Sequence, residues 1–115
     1  MKKIAVLLIF FECLLVYAVP AVVEDEEVRI FSTVEFFDTD KTGEKGVSLG
    51  MPEMMEGGIK AKVLEVCKME ENGGEKGNWC KIRLRLGMWM EDTAWVPKES
   101  EVWCFIPEDA KIFRN

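Results

Sequence analysis

Histidine is absent from the 115-residue chain. That removes Ser-His and Cys-His nucleophile systems and any histidine metal site. Cysteine is sparse, and no pair has CxxC or CxxCH spacing, so zinc-ribbon, thioredoxin-type and c-haem readings fail. Internal repeats and low-complexity tracts are missing, and beyond the N-terminal segment no amphipathic helical period is seen. Basic residues are the minority, 15 Lys and Arg against 21 Asp and Glu, a net charge of −6. That balance argues against a general binder of nucleic acid or of anionic membranes. Catalysis would fall to carboxylates. Glu24 to Glu27, however, read as a solvated spacer. Asp38, Asp40 and Glu44 read as parts of a turn, because their spacing fails the EF-hand pattern. A non-enzymatic protein without metal or cofactor is expected.

What the chain does have begins at its N-terminus. Lys2 and Lys3 precede an apolar run from Ile4 to Phe11, which resumes from Leu14 to Val19 and is broken by Pro20. A positive start, an apolar middle and small residues before a polar stretch describe a secretory signal, with cleavage after Ala21. Glu12 within the apolar stretch leaves the rival open: an uncleaved anchor helix over 4–23, about 20 residues and long enough to span a bilayer. Both readings put the rest of the chain outside the cytoplasm. The expected division is 1–21 as signal peptide or membrane anchor, 22–28 as acidic spacer, and 29–115 as one small domain touching the membrane only through the N-terminal segment.

The domain reads as mainly β. Residues 29–37 (RIFSTVEFF) form a first strand, rich in β-branched and aromatic residues, and 38–50 a polar loop. Residues 59–69 (IKAKVLEVCKM) alternate up to Val63, then break at Leu64, Glu65 and Val66. A nine-residue glycine-bearing hairpin loop, 70–78, follows. Residues 79–86 (WCKIRLRL) alternate most cleanly, with Cys80, Ile82, Leu84 and Leu86 inward and Trp79, Lys81, Arg83 and Arg85 outward. Short strands at 93–96, 101–106 and 111–113 complete a small barrel or sandwich.

Four pieces carry a resemblance: Val34 to Phe37, the Gly-led run Gly58-Ile59-Lys60-Ala61-Lys62-Val63-Leu64, then Gly77-Asn78-Trp79-Cys80-Lys81-Ile82, and Ala94-Trp95-Val96-Pro97. In this order they resemble the bacterial-type SH3 domain, over roughly residues 28 to 104. Ala94 stands where a glycine is usual, and 102–115 extend past the module. The resemblance implies an SH3-like barrel and a recognition module for cell-envelope peptide, glycan or protein. An OB-like barrel is the alternative.

Candidate binding residues are Trp79, Lys81, Arg83 and Arg85, an aromatic beside three positive charges on one strand face suited to an acidic or glycan partner. Trp89 in its loop, between Met88 and Met90, is a second contact patch. Trp95 and Trp103 read as core. If the 59–69 and 79–86 strands pair with residue numbers summing to 147, Cys67 faces Cys80 and a disulfide between them is expected, with Cys80–Cys104 as the rival. The functional expectation is an exported or membrane-anchored binding module of the kind that serves as a small subunit of an envelope assembly. The alternative is a freely secreted effector such as an inhibitor or toxin.

Overall fold

The structure, a computed structural model, describes residues 20–114. The signal or anchor segment therefore lies outside the described residues except for Pro20 and Ala21. Among the described residues no helix is long and apolar enough to cross a membrane. The chain is mainly β, as the sequence predicts. Its strands are β1 (Glu27–Ile30), β2 (Phe36–Thr39), β3 (Lys45–Gly50), β4 (Ile59–Asn72), β5 (Glu75–Leu84), β6 (Met88–Trp89), β7 (Trp95–Val96), β8 (Glu101–Pro107) and β9 (Ile112–Arg114).

Seven of these form one antiparallel sheet in the order β3-β2-β8-β5-β4-β1-β9, and β6 pairs with β7. The expected first strand, 29–37, is two strands. β1 pairs with β4, while β2 pairs with β8. Residues 31–35 carry the chain from one side of β4–β5 to the other, which curls the sheet around a single core. High β-propensity throughout RIFSTVEFF hid that crossing, because propensity reports residue type and not partner. The polar loop 38–50 is half strand: β3 is an edge strand, and its exposed Lys45, Val47 and Ser48 gave no buried face to read.

β5 is the central strand, paired with β4 on one side and β8 on the other. Asn78, Cys80, Ile82 and Leu84 point into the core, and Trp79, Lys81 and Arg83 point out. The hairpin to β4 is tighter than the sequence predicts. Asn72 pairs with Glu75, so the loop is the two residues Gly73 and Gly74, at φ 61° and 86°. Two consecutive positive φ values match the twist of a two-residue hairpin and are open to glycine at little cost.

The register sums to 147 beside that turn, as expected, and then slips twice. A one-residue bulge between Val66 and Met69 and another between Val63 and Glu65 bring Val66 opposite Cys80 and Val63 opposite Ile82. Each bulge reverses which side chains face inward, and this explains the broken alternation at 64–66. Leu64 is the extra residue, so Glu65 turns outward and Val66 packs against the core. The buried Asn78 amide donates to the Cys67 carbonyl at 2.8 Å, satisfying backbone that the bulge takes out of the ladder.

Residues 22–28 are built into the domain and do not act as a spacer. Val22 and Val28 are each 1% exposed within the core. Asp25 N–H donates to the Val63 carbonyl and Val63 N–H to the Glu26 carbonyl, at 2.7 and 2.9 Å. Charge dominates the composition there, but the two valines set the packing. Val22→Ala is expected to lower unfolding free energy by about 1–3 kcal/mol in denaturant titration. A change under about 0.5 kcal/mol is what a solvated spacer would give.

Candidate functional site

The outward face of β5 carries Trp79, Lys81 and Arg83, with Arg85 just beyond, as the sequence predicts. Its two guanidiniums are already engaged within the chain. Arg83 pairs with Glu101 at 3.0 Å, and Arg85 pairs with Glu27 at 2.7 Å and Glu99 at 3.1 Å. The hydrogen bond to Glu27 pushes the Arg85 pKa up from its ordinary value. Such half-exposed pairs stabilise by little, but they claim both guanidiniums of this face. The Lys81 ammonium lies 5.7 Å from the Trp103 ring centre.

Trp79 is engaged too. Its ring meets Phe37 and Phe105 edge-on, at 5.3 and 5.6 Å between centres, and its Nε1–H donates to Glu70 at 2.8 Å. The Lys45 ammonium sits 4.4 Å from the Trp79 ring centre and 4.7 Å from that of Phe37. A shallow cleft of about 360 Å³ beside these rings is lined by Phe37, Lys45, Trp79, Phe105 and polar residues including Glu35 and Asn72. Trp103 is buried, as expected, beneath the β2–β3 turn, where its Nε1–H donates to the Gly43 carbonyl at 3.1 Å. Asp40 shapes that turn, accepting from Thr42 N–H and Oγ1–H and from Glu44 N–H. The Thr42 bonds hold its carboxyl below the ordinary value.

The other end of the molecule is different. A strip of chain at Pro52 bridges to Met90, and β6 pairs with β7, making a small cap of a two-stranded ribbon and one bridged strip. Alternation sorts the cap into two faces. Pro52, Met88, Met90 and Val96 are buried and close the core. Trp89 and Trp95 are directly opposite each other on the outer face, 5.0 Å between ring centres, and remain 53% and 51% exposed. Trp95 is therefore a surface residue, a correction to the core expectation, while Trp89 is exposed as expected. The pair "Trp-Val" at the end of a short strand gives no sign of which member faces in. Pairing with Met88 decides it, because Val96 lies opposite that buried residue.

Glu53 belongs to the same outer face. Its N–H donates to the Trp89 carbonyl, and Glu91 N–H donates to the Met51 carbonyl, both at 2.8 Å. The floor beneath Trp95 is Gly87. A Cβ there would lie 2.2 and 2.5 Å from two atoms of the indole ring, so only glycine admits it. Thr93 closes the β6–β7 turn at φ 72°, a conformation costly for a β-branched residue, with its N–H on the Met90 carbonyl. Leu86, which precedes Gly87 in the chain, is exposed and does not face inward as the sequence predicts, because β5 ends at Leu84.

The expected Cys67–Cys80 disulfide is not made. The bulges place Val66 opposite Cys80, leave Cys67 exposed, and all three thiols among the described residues are free. Cys80 and Cys104 are register partners in the core. Burial pushes the Cys80 thiol up to about 12 and raises Cys104 as well. Partial burial and the charges of Glu65, Glu44 and Glu70 raise Cys67 more mildly. Among the described residues no group of three or more acidic or cysteine side chains is placed to hold a metal.

No family model, curated protein or solved structure matches the chain.

Two outcomes follow from this arrangement. With a thiol-alkylating reagent and peptide-level mass spectrometry, Cys67 is expected to react in the native protein. Cys80 and Cys104 should stay unmodified until denaturant is added. A Cys67–Cys80 link in a non-reducing peptide map would contradict the register. Separately, Trp79→Ala is expected to cost about 2–3 kcal/mol of stability, since it removes the ring that Phe37, Phe105 and Lys45 pack on. Trp89→Ala should cost about 1 kcal/mol or less, the value of an exposed aromatic pair. The reverse order would contradict the packing of Trp79 against Phe37 and Phe105.

Proposed function

We propose that this chain is a non-enzymatic binding module, exported or held at the outer side of a membrane by residues 1–21, that engages its partner through Trp89 and Trp95. The observation that carries the reading is the half-exposure of two large aromatic rings on a strand pair whose inner face is buried. Tryptophan is concentrated at binding hot spots because it offers a broad apolar surface with little conformational entropy to lose. The inner face of the same cap is locked into the core, so the rings are presented without a mobile loop. The partner is a protein or an envelope peptide or glycan. The domain is read as a small SH3-like recognition barrel, supported by its Gly-led β4 and Trp79-bearing β5, with an OB-like barrel as the alternative.

This moves the contact surface away from Trp79, Lys81, Arg83 and Arg85, whose aromatic and charged groups are committed inside the molecule. A photo-crosslinking residue placed at Leu86, exposed and next in the chain to the Gly87 that Trp95 packs on, is expected to yield an adduct in cells producing the full chain, in the extracytoplasmic fraction. The same residue at Lys81 should yield none. Adducts from Lys81 with none from Leu86, or a chain retained in the cytosol, would contradict the proposal.

A further inference from the structure

We infer that the Trp89–Trp95 face takes a cationic polypeptide segment, with a lysine or arginine side chain laid over the indoles. This deepens the binding-module reading and rests on it.

The argument begins with how this protein treats its other tryptophans. Trp79 carries the Lys45 ammonium at 4.4 Å from its ring centre, and Trp103 has that of Lys81 at 5.7 Å. The negative face of an indole ring attracts a cation, most strongly where water is partly excluded. Among the described residues no ammonium or guanidinium lies over Trp89 or Trp95. These are the two tryptophans left half open, so the interaction that the chain completes for itself at one end is incomplete at the other.

The acidic residues of the cap have the matching sign. Glu53 and Glu91 share the outer face of the cap with the two rings, and Asp92 follows in the turn, where it accepts from Ala94 N–H. Among the described residues the ion pairs of this molecule use Glu26, Glu27, Glu99 and Glu101, and neither Glu53 nor Glu91. Arg85, the nearest guanidinium in sequence, is held by Glu27 and Glu99. An aromatic pair rimmed by unpaired carboxylates suits an incoming cation on a flexible aliphatic stem. The stem lies along the rings, and the charged head reaches Glu53 or Glu91. A neutral glycan would use the ring faces and donate hydroxyls to the carboxylates, but only a cation also gains the direct attraction of their charge, so the acidic rim favours the basic peptide.

The test uses the full chain in a neutral detergent and a dye-labelled, end-capped heptapeptide of alternating glycine and lysine, followed by fluorescence anisotropy. Its lysine-acetylated twin and a neutral chitin oligosaccharide serve as comparison ligands. Binding of the lysine peptide is expected to weaken about threefold to tenfold in Trp89→Ala and again in Trp95→Ala. It should weaken in Glu53→Gln and Glu91→Gln, fall with added salt, and be lost for the acetylated twin. A chain with net charge −6 attracts any polycation weakly, so Glu71→Gln and Glu75→Gln at the opposite hairpin tip serve as the control and should change little. Equal losses from the tip and cap variants would overturn the inference, as would equal binding of the acetylated peptide or preference for the oligosaccharide. Thermal melts of each variant identify any that fail to fold, and the milder Trp89→Phe, which keeps an aromatic face, should then retain part of the binding. A Leu86 crosslink in cells together with no lysine-peptide binding would leave the module reading standing and remove only the cationic partner.

Discussion

The molecule depends on the alternation of β5 between β4 and β8. Burial of Cys80, Ile82 and Leu84 on one face fixes where every neighbouring side chain goes. A strand paired on both sides cannot shift by one residue without moving its whole apolar set to the other face. β4 keeps step with it through two bulges, which let Ile59, Ala61 and Val63 and then Val66 face the same core despite the extra residues between them. The same alternation continues into the cap. Once Met88 and Met90 go inward, Trp89 must go outward, and Trp95 follows because it is paired opposite.

The two ends of the molecule show opposite ways of finishing an aromatic surface. Around Trp79 the chain supplies its own edge-on rings, its own lysine and its own carboxylate, and the face becomes a second packed layer holding β2, β3, β5 and β8 together. The acidic segment 22–28 contributes in the same way: Glu27 neutralises Arg85, Glu26 pairs with Arg114, and Arg114 also donates to the Ala21 carbonyl. The cap has no such completion among the described residues. A group that the fold satisfies carries structure, and one presented rigidly but left open is where a partner gains most.

Much of this was legible in the sequence. The clean period of two in WCKIRLRL gave the faces of β5, and the runs at 101–106 and 111–113 gave β8 and β9 to within a residue or two. The broken alternation at Leu64, Glu65 and Val66 was visible as well, but a bulge can be placed only once the partner strand is known, so the 147 register and its Cys67–Cys80 pairing overran the bulge between Val66 and Met69. Residues 22–28 were misread because charge outnumbers the two valines that bury there. Positive side chains on β5 suggested an open basic face, since single-strand periodicity cannot show Glu27, Glu99 and Glu101 arriving from elsewhere in the chain. For the candidate site, the exposure of Trp89 was legible, although it lies on β6 and not in the loop that the sequence suggests. Trp95 was not, because a two-residue strand has no period of its own.

The central claim is that the tryptophans at the two ends differ in kind, and residue-resolved hydroxyl-radical footprinting of the full chain tests it most directly. Oxidation should concentrate on Trp89 and Trp95, with Trp79 slow beneath Lys45 and between Phe37 and Phe105, and Trp103 slowest beneath the Gly43 turn. Partner binding should then suppress oxidation at Trp89 and Trp95 alone. Trp79 oxidised as fast as Trp89, or protected by the partner while Trp89 and Trp95 stay reactive, would contradict the account.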